Sequence, residues 1–265
     1  MNAVTLLKRQ SKLSSRSWHP ALKISLKFRI SGIFSVFPYL YFNLFKSFMF
    51  QAVIFDMDGV ICHTNPYHLV AFRQFFAKRN LFPTEEEFRL HMYGKNNGYI
   101  LSHFLGRKIE NEELATLEFE KESLFREIYR LKVDPIAGYL AFLESLGRSN
   151  LSIGVATSAP RANMNLILDT LGIRSAMGSL LAAEDVSKHK PDPEVYLKTA
   201  SNLEADPAHC LVFEDSFSGV SSALNAGMKV VGVLSSHTID ELPVCDLYIN
   251  DYSELNVAQV EQLYT

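Results

Sequence analysis

Apolar and polar positions change period along this chain. Ala52–Phe55 is an unbroken apolar run met at once by Asp56 and Asp58, with Gly59 just beyond. A short apolar run closed by polar residues reads as a strand buried on both faces. From 65 to 133 the period is helical. Asn65 and Pro66 read as an N-cap and N1 pair, and 67–79 follow at helical spacing. Thr84 to Glu87 reads as a capping box opening a helix that closes at Gly94. Further helices are expected over 97–105 and 111–131, and no strand pattern interrupts this block. From Asp134 onward, helices at 137–147, 161–171, 193–203 and 218–226 alternate with apolar runs at 151–157, 179–183, 210–215, 229–233 and 246–250. Strands alternating with helices imply parallel pairing and a doubly wound α/β sheet of Rossmann-like type, with the helical block inserted after its first strand.

In open parallel sheets the ligand crevice lies beyond the carboxyl ends of the strands. The polar residues there are Asp56 and Asp58 after the first strand, Thr157 and Ser158 after the second, Lys190 after the third, and Glu214, Asp215 and Ser216 after the fourth. Carboxylates gathered on one rim repel unless a cation sits among them. An oxygen-only set of this kind suits magnesium, which binds through one or two carboxylates together with substrate phosphate. A lysine beside such a site calls for further negative charge, and a phosphate monoester dianion supplies it. Asp56 is placed to attack phosphorus, with the metal and Lys190 neutralising the approach of anion to dianion. Asp58 is placed to protonate the leaving oxygen and then to deprotonate water.

The stretches "DMDGV", "VATSAP", "KPDPEVY" and "FEDSFSGV" match, in order and spacing, the four motifs of the haloacid dehalogenase-like superfamily. The chain resembles its β-phosphoglucomutase-like phosphatases, which carry a helical cap between the first two motifs, over residues 50 to 250. The resemblance implies Asp56 as nucleophile, Asp58 as acid/base, and Thr157, with Ser158 beside it, and Lys190 on the phosphoryl oxygens. It implies magnesium on Asp56, the Asp58 carbonyl and Asp215, assisted by Glu214. Within the cap, His68 matches a linker histidine and Lys121 a substrate-reaching lysine of the mutase branch. Where that branch places an arginine for a second phosphate this chain has Asn97, with Lys95 nearby as a substitute; His63 also replaces an acidic residue common after the first motif. These departures favour hydrolysis of a small phosphorylated metabolite over the alternative, a phosphohexomutase. A non-catalytic phospho-accepting switch is a third reading, opposed by Asp58 and by the cap.

Composition changes this picture at one end. Residues 1–55 contain no Asp or Glu and eight Lys or Arg, leaving 18 basic against 29 acidic residues in the remainder, a net of −11. So acidic a body is a poor nucleic-acid binder. The leader ends in a 16-residue apolar run, 30–45, broken by Pro38 and short of the roughly 20 residues that span a bilayer. No small-residue cleavage site follows it. The expected organisation is a basic, apolar leader over 1–48 outside the folded enzyme, an α/β core of 49–64 and 134–265, and a helical cap of 65–133, with the folded part starting near Met49. An anchor or a targeting peptide is the other reading of the leader. Cys62, Cys210 and Cys245 are few, odd in number and widely spaced. They read as small buried hydrophobes in a reducing compartment. A cytoplasmic monomer is expected.

Overall fold

In a computed structural model of the chain, residues 50–92 and 95–264 are described. The leader, the expected start at Met49 and the expected helix end at Gly94 lie outside them.

Six parallel strands form one sheet in the order β3-β2-β1-β4-β5-β6: β1 Ala52–Phe55, β2 Ser152–Ala156, β3 Ser179–Leu181, β4 Cys210–Glu214, β5 Lys229–Val233 and β6 Leu247–Ile249. Side chains alternate across each strand. Val53 and Phe55 join one apolar cluster with Tyr139, Phe142, Phe213 and Tyr252, while Ala52 and Ile54 join another with Val195, Tyr196, Val212 and Val220. Both faces of β1 are therefore covered, which is why it reads as a continuous apolar run.

The inserted block is helical. It holds α1 Asn65–Ala77, α2 Glu85–His91, α3 Asn97–Phe104 and α4 Asn111–Tyr129. Phe72, Phe75, Phe76, Phe88 and Leu101 give this block its own apolar cluster. Thr84 closes the expected capping box with Glu87, and Asn96 caps α3. The two chain segments that join block to sheet run side by side: His63 donates to the Asp134 carbonyl (3.0 Å), and Ile136 to that of Ile61 (2.9 Å). The remaining helices are α5 Tyr139–Gly147, α6 Arg161–Leu171, α7 Glu194–Asn202, α8 Phe217–Asn225 and α9 Val257–Glu261.

Two differences from the expected elements are local. Thr64, not Asn65, occupies the N-cap of α1 and makes no side-chain cap bond. Helix α9, five residues long and opened by an Asn256–Gln259 capping box, is too short to show a helical period.

Candidate active site

The strand order reverses between β1 and β4: the chain builds outward from β1 through β2 to β3, then restarts on the other side. Such a switch point opens a crevice at the carboxyl ends of the strands. Phe55 is in register with both Val155 and Phe213, so Asp56, Thr157 and Glu214 come off their strands within a residue of one level. The loop before α7 brings in Lys190.

Lys190 is the hub. Its Nζ donates to Asp56 Oδ1 (2.6 Å), Glu214 Oε1 (2.7 Å) and the Ala156 carbonyl (3.0 Å). Its side chain is 5% exposed. Burial works against the lysine's charge, but Asp56 and Glu214 outweigh it and hold the ammonium above its ordinary range. Glu214 is held on every side. Oε1 also accepts from the Tyr196 hydroxyl (2.8 Å); Oε2 accepts from the backbone N–H groups of Asp215 (3.0 Å) and Ser216 (3.1 Å) and from Ser216 Oγ (3.1 Å). Gly219 in the first turn of α8 leaves the room, because a Cβ there would fall inside the Glu214 carboxylate.

Asp215 is held differently. Its Oδ2 accepts from Ser236 Oγ and from Asn65 Nδ2 (3.3 Å), and its carbonyl accepts from His237 Nδ1 (2.9 Å). The Asn65 amide thus serves Asp215, so it leaves the helix N-cap to Thr64. Gly59 turns the chain with φ +76°, and a Cβ on it would sit inside the Asp215 carboxylate. Ser235 Oγ donates to the Gly59 carbonyl and locks that turn. Ser235, Ser236 and His237 escape the motif reading, although their place after β5 marks them by the same strand-end rule.

Asp58 contrasts with both. Its Oδ1 is buried and has no hydrogen-bond partner, and His68 Nε2 lies 3.6 Å away, beyond hydrogen-bond range. Thr157 is buried, and its Oγ1 accepts from Ala159 N–H (3.0 Å), tightening the turn after β2; Pro160 occupies the N-cap of α6. Ser158 is exposed at the same turn.

The expected cap residues part company. His68 stacks on Phe125 at 3.8 Å, and its Nδ1 meets Lys121 Nζ at 2.8 Å. Lys121 is buried and donates to Glu122 Oε1 (2.7 Å). Asn97 Nδ2 donates to that same oxygen (2.8 Å). Lys95 is exposed, its ammonium 5.9 Å from the centre of the Tyr99 ring.

Asp56, Glu214 and Asp215 each offer a carboxylate oxygen, and these lie within 4.8 Å of one another. Burial pushes Asp56 up to about 7 against the pull of Lys190, with Glu214 and Asp58 adding to the rise. Burial, then Glu214 and Asp56, raise Asp215 well above the usual carboxylate range. One ammonium does not balance these carboxylates. A buried, all-oxygen set with excess negative charge fits a hard divalent cation.

A doubly wound sheet with acidic groups around a lysine at its switch point, and a helical block inserted behind the first strand, defines a class of hydrolases. The chain belongs to the haloacid dehalogenase-like hydrolase family, whose model matches residues 53–233. It is similar to the phosphorylated carbohydrates phosphatase of Thermotoga maritima, at 34% identity over 70% of this chain and 86% of that protein. It is similar to the beta-phosphoglucomutase of Bacillus subtilis, at 31% identity over 69% of this chain and 83% of that one. A crystal structure of a family IA, variant 3 hydrolase from Entamoeba histolytica superposes with a TM-score of 0.76 at 27% identity, covering 81% of this chain and 99% of that one. Among the described residues no helix is long and apolar enough to cross a membrane.

Proposed function

We propose that the chain is a magnesium-dependent phosphatase that hydrolyses a small phosphate monoester, a sugar phosphate, through an aspartyl-phosphate on Asp56. The observation that carries this reading is the pairing of Asp56 with Lys190 (2.6 Å) beside Asp58, whose inward oxygen is unpartnered. Similarity to a phosphatase of phosphorylated carbohydrates supports the substrate class.

In the proposed reaction Lys190, Thr157 and Ser158 take the phosphoryl oxygens. An Asp56 oxygen bonds to phosphorus as the bond to the leaving oxygen breaks, and protonated Asp58 gives its proton to that oxygen. Asp58, now a carboxylate, then takes a proton from water as the water oxygen attacks phosphorus. The Asp56–phosphorus bond breaks and inorganic phosphate leaves. Asp56, Asp215 and the Asp58 main chain, with Glu214 assisting, are the residues that would hold magnesium. When bound it supplies the charge neutralisation that lets an anion approach a dianion. Residues 65–133 act as the cap, hinged where 62–66 and 133–138 run together, and its closure excludes water from the first step.

The runner-up, a phosphomutase, shares every rim residue and differs in the cap. Asn97 and Lys121 both point their nitrogen at Glu122. That leaves neither committed to a second substrate phosphate, and favours hydrolysis. The proposal includes a cytoplasmic monomer; the three buried free cysteines suit a reducing compartment.

The test is phosphate release by the full chain from a panel of hexose and pentose phosphates. Release from at least one, lost in Asp56→Asn, is expected. Release that survives in folded Asp56→Asn, or none from any substrate with magnesium present, would overturn the proposal.

A further inference from the structure

Glu122 stands at the centre of a buried polar chain that the reaction described above does not use. It is 3% exposed, and the side chains around it come from three helices. Oε1 accepts from Lys121 Nζ (2.7 Å) on its own helix α4 and from Asn97 Nδ2 (2.8 Å) on α3. Oε2 accepts from Asn163 Nδ2 (2.6 Å), which belongs to α6 of the sheet domain and is fully buried. The Asn163 amide is fixed in that orientation, because its Oδ1 accepts from Arg126 Nη1 (2.9 Å).

The other direction leads to the rim. Lys121 is a donor only, so its 2.8 Å contact makes His68 Nδ1 the acceptor and leaves the ring hydrogen on Nε2. That nitrogen lies 3.6 Å from Asp58 Oδ1. Hydrogen bonds thus run from α6 through Glu122 and Lys121 to His68, and the gap of 3.6 Å separates His68 Nε2 from Asp58 Oδ1. Burial alone would raise the Glu122 carboxyl. The Lys121 ammonium and the hydrogen bonds from Lys121 and Asn97 outweigh it and hold it down to about 2.

Apolar residues of like volume would join two helices at least as firmly as a buried ion pair. They would also give up more on separation, because water replaces a hydrogen bond and not an apolar contact. A polar joint therefore suits surfaces that must part at each turnover. We propose that Glu122 is a positioning residue: Oε1 aims the Lys121–His68 pair at Asp58, and Oε2 docks the cap on α6 through Asn163. This rests on the phosphatase reading above.

A positioning role in proton transfer differs from a structural one in its dependence on the leaving group. A sugar alkoxide needs a proton to depart; p-nitrophenolate does not. The ratio kcat/KM reports steps up to leaving-group departure and so isolates that half of the reaction. The experiment measures kcat/KM for the best sugar phosphate and for p-nitrophenyl phosphate, in the full chain and in Glu122→Gln and Asn163→Ala. General acid catalysis is worth roughly 100- to 10,000-fold, so partial misalignment should lower the sugar phosphate value roughly 10- to 100-fold. The p-nitrophenyl phosphate value should fall less than about 3-fold by the same reasoning. Equal losses on both substrates, or no loss on either, would overturn the proposal; Asn163→Ala decides it should Glu122→Gln not fold. An active wild type, an inactive Asp56→Asn and an unchanged Glu122→Gln would sink the positioning role alone. Activity retained in Asp56→Asn would sink the phosphatase reading beneath it.

Discussion

Alanine in place of Gly219 should reverse the usual sign of a helical glycine substitution. Gly219 lies within α8, where Gly→Ala ordinarily gains about 1 kcal/mol. Here the added methyl would occupy the Glu214 carboxylate, and Glu214 is too enclosed to step aside. Displacing it breaks the bonds to Lys190 and Tyr196 at Oε1 and the three bonds at Oε2. Breaking a buried charge pair costs about 3–5 kcal/mol, so after the helical gain the net loss is about 2–4 kcal/mol. For a chain of this size that lowers Tm by roughly 5–15 °C. Thermal melts of wild type, Gly219→Ala, Glu214→Ala and the double variant measure it. In the Glu214→Ala background the obstruction is gone, so Gly219→Ala should be neutral or stabilising. Gly147, at the end of α5 with open space where its Cβ would be, is the control: Gly147→Ala should be neutral or gain up to about 1 kcal/mol. A Gly219→Ala protein as stable as wild type, or a loss that is the same in both backgrounds, would refute the reasoning.

Asp56→Asn should abolish phosphate release while leaving the circular dichroism spectrum unchanged, since an amide is a poor nucleophile toward phosphorus; near-normal release by the folded variant counts against the mechanism. Turnover should stop after exhaustive EDTA treatment, return with magnesium, and be inhibited by calcium, whose larger and looser coordination misplaces the reacting groups. Glu122 is held at about 2 against an ordinary 4.5, so the stability it adds is complete above pH 4.5 and is lost as pH falls toward 2. That drop corresponds to about 3 kcal/mol, and the gap in urea midpoint between wild type and Glu122→Gln should shrink markedly from pH 6 to pH 3. An equal gap at both would contradict it. From β-glucose 1-phosphate with catalytic bisphosphate, free phosphate should form faster than glucose 6-phosphate; the reverse ratio would promote the mutase.

The central strands were readable because parallel strands covered on both faces appear as plain apolar runs bounded by polar residues. Ala52–Phe55, Lys229–Val233 and the helix Arg161–Leu171 stand where the pattern puts them. The rim carboxylates were readable by the strand-end rule alone, before any family likeness. What lay beyond reach was the partner of each polar group. Nothing in the sequence distinguishes Glu214 from its neighbour Asp215, yet one is enclosed by backbone N–H groups, a lysine and a tyrosine, and the other by two side chains, one from the start of α1 and one from the loop after β5. Asn65 reads as a cap from its local surroundings, whereas its amide serves a residue 150 positions away. Glu122 and Asn163 lie 41 positions apart on helices that meet only in the folded chain.

The carboxylates of this rim differ most in how firmly they are held, and the difference orders their proposed roles. Glu214 accepts five hydrogen bonds, two from fixed backbone groups. A group so enclosed gains little by changing partner or protonation, so its chief work is to fix Lys190. Asp215 is steadied on Oδ2 by Asn65 and Ser236, and suits a ligand whose position must hold while its environment changes. Asp56 is tied through Oδ1 to Lys190, which orients the group and, against the burial that raises it, pulls toward the ionised form that the proposed reaction uses. Asp58 has a buried oxygen with no partner and a histidine hydrogen just out of range. An unpaired buried acceptor is costly, on the order of 1–3 kcal/mol, and a protein keeps one where something is still to arrive. A proton carrier must exchange partners twice in each turnover, from leaving oxygen to water and back. Strong bonds to the protein would have to break each time, so the least restrained carboxylate is the one suited to move the proton.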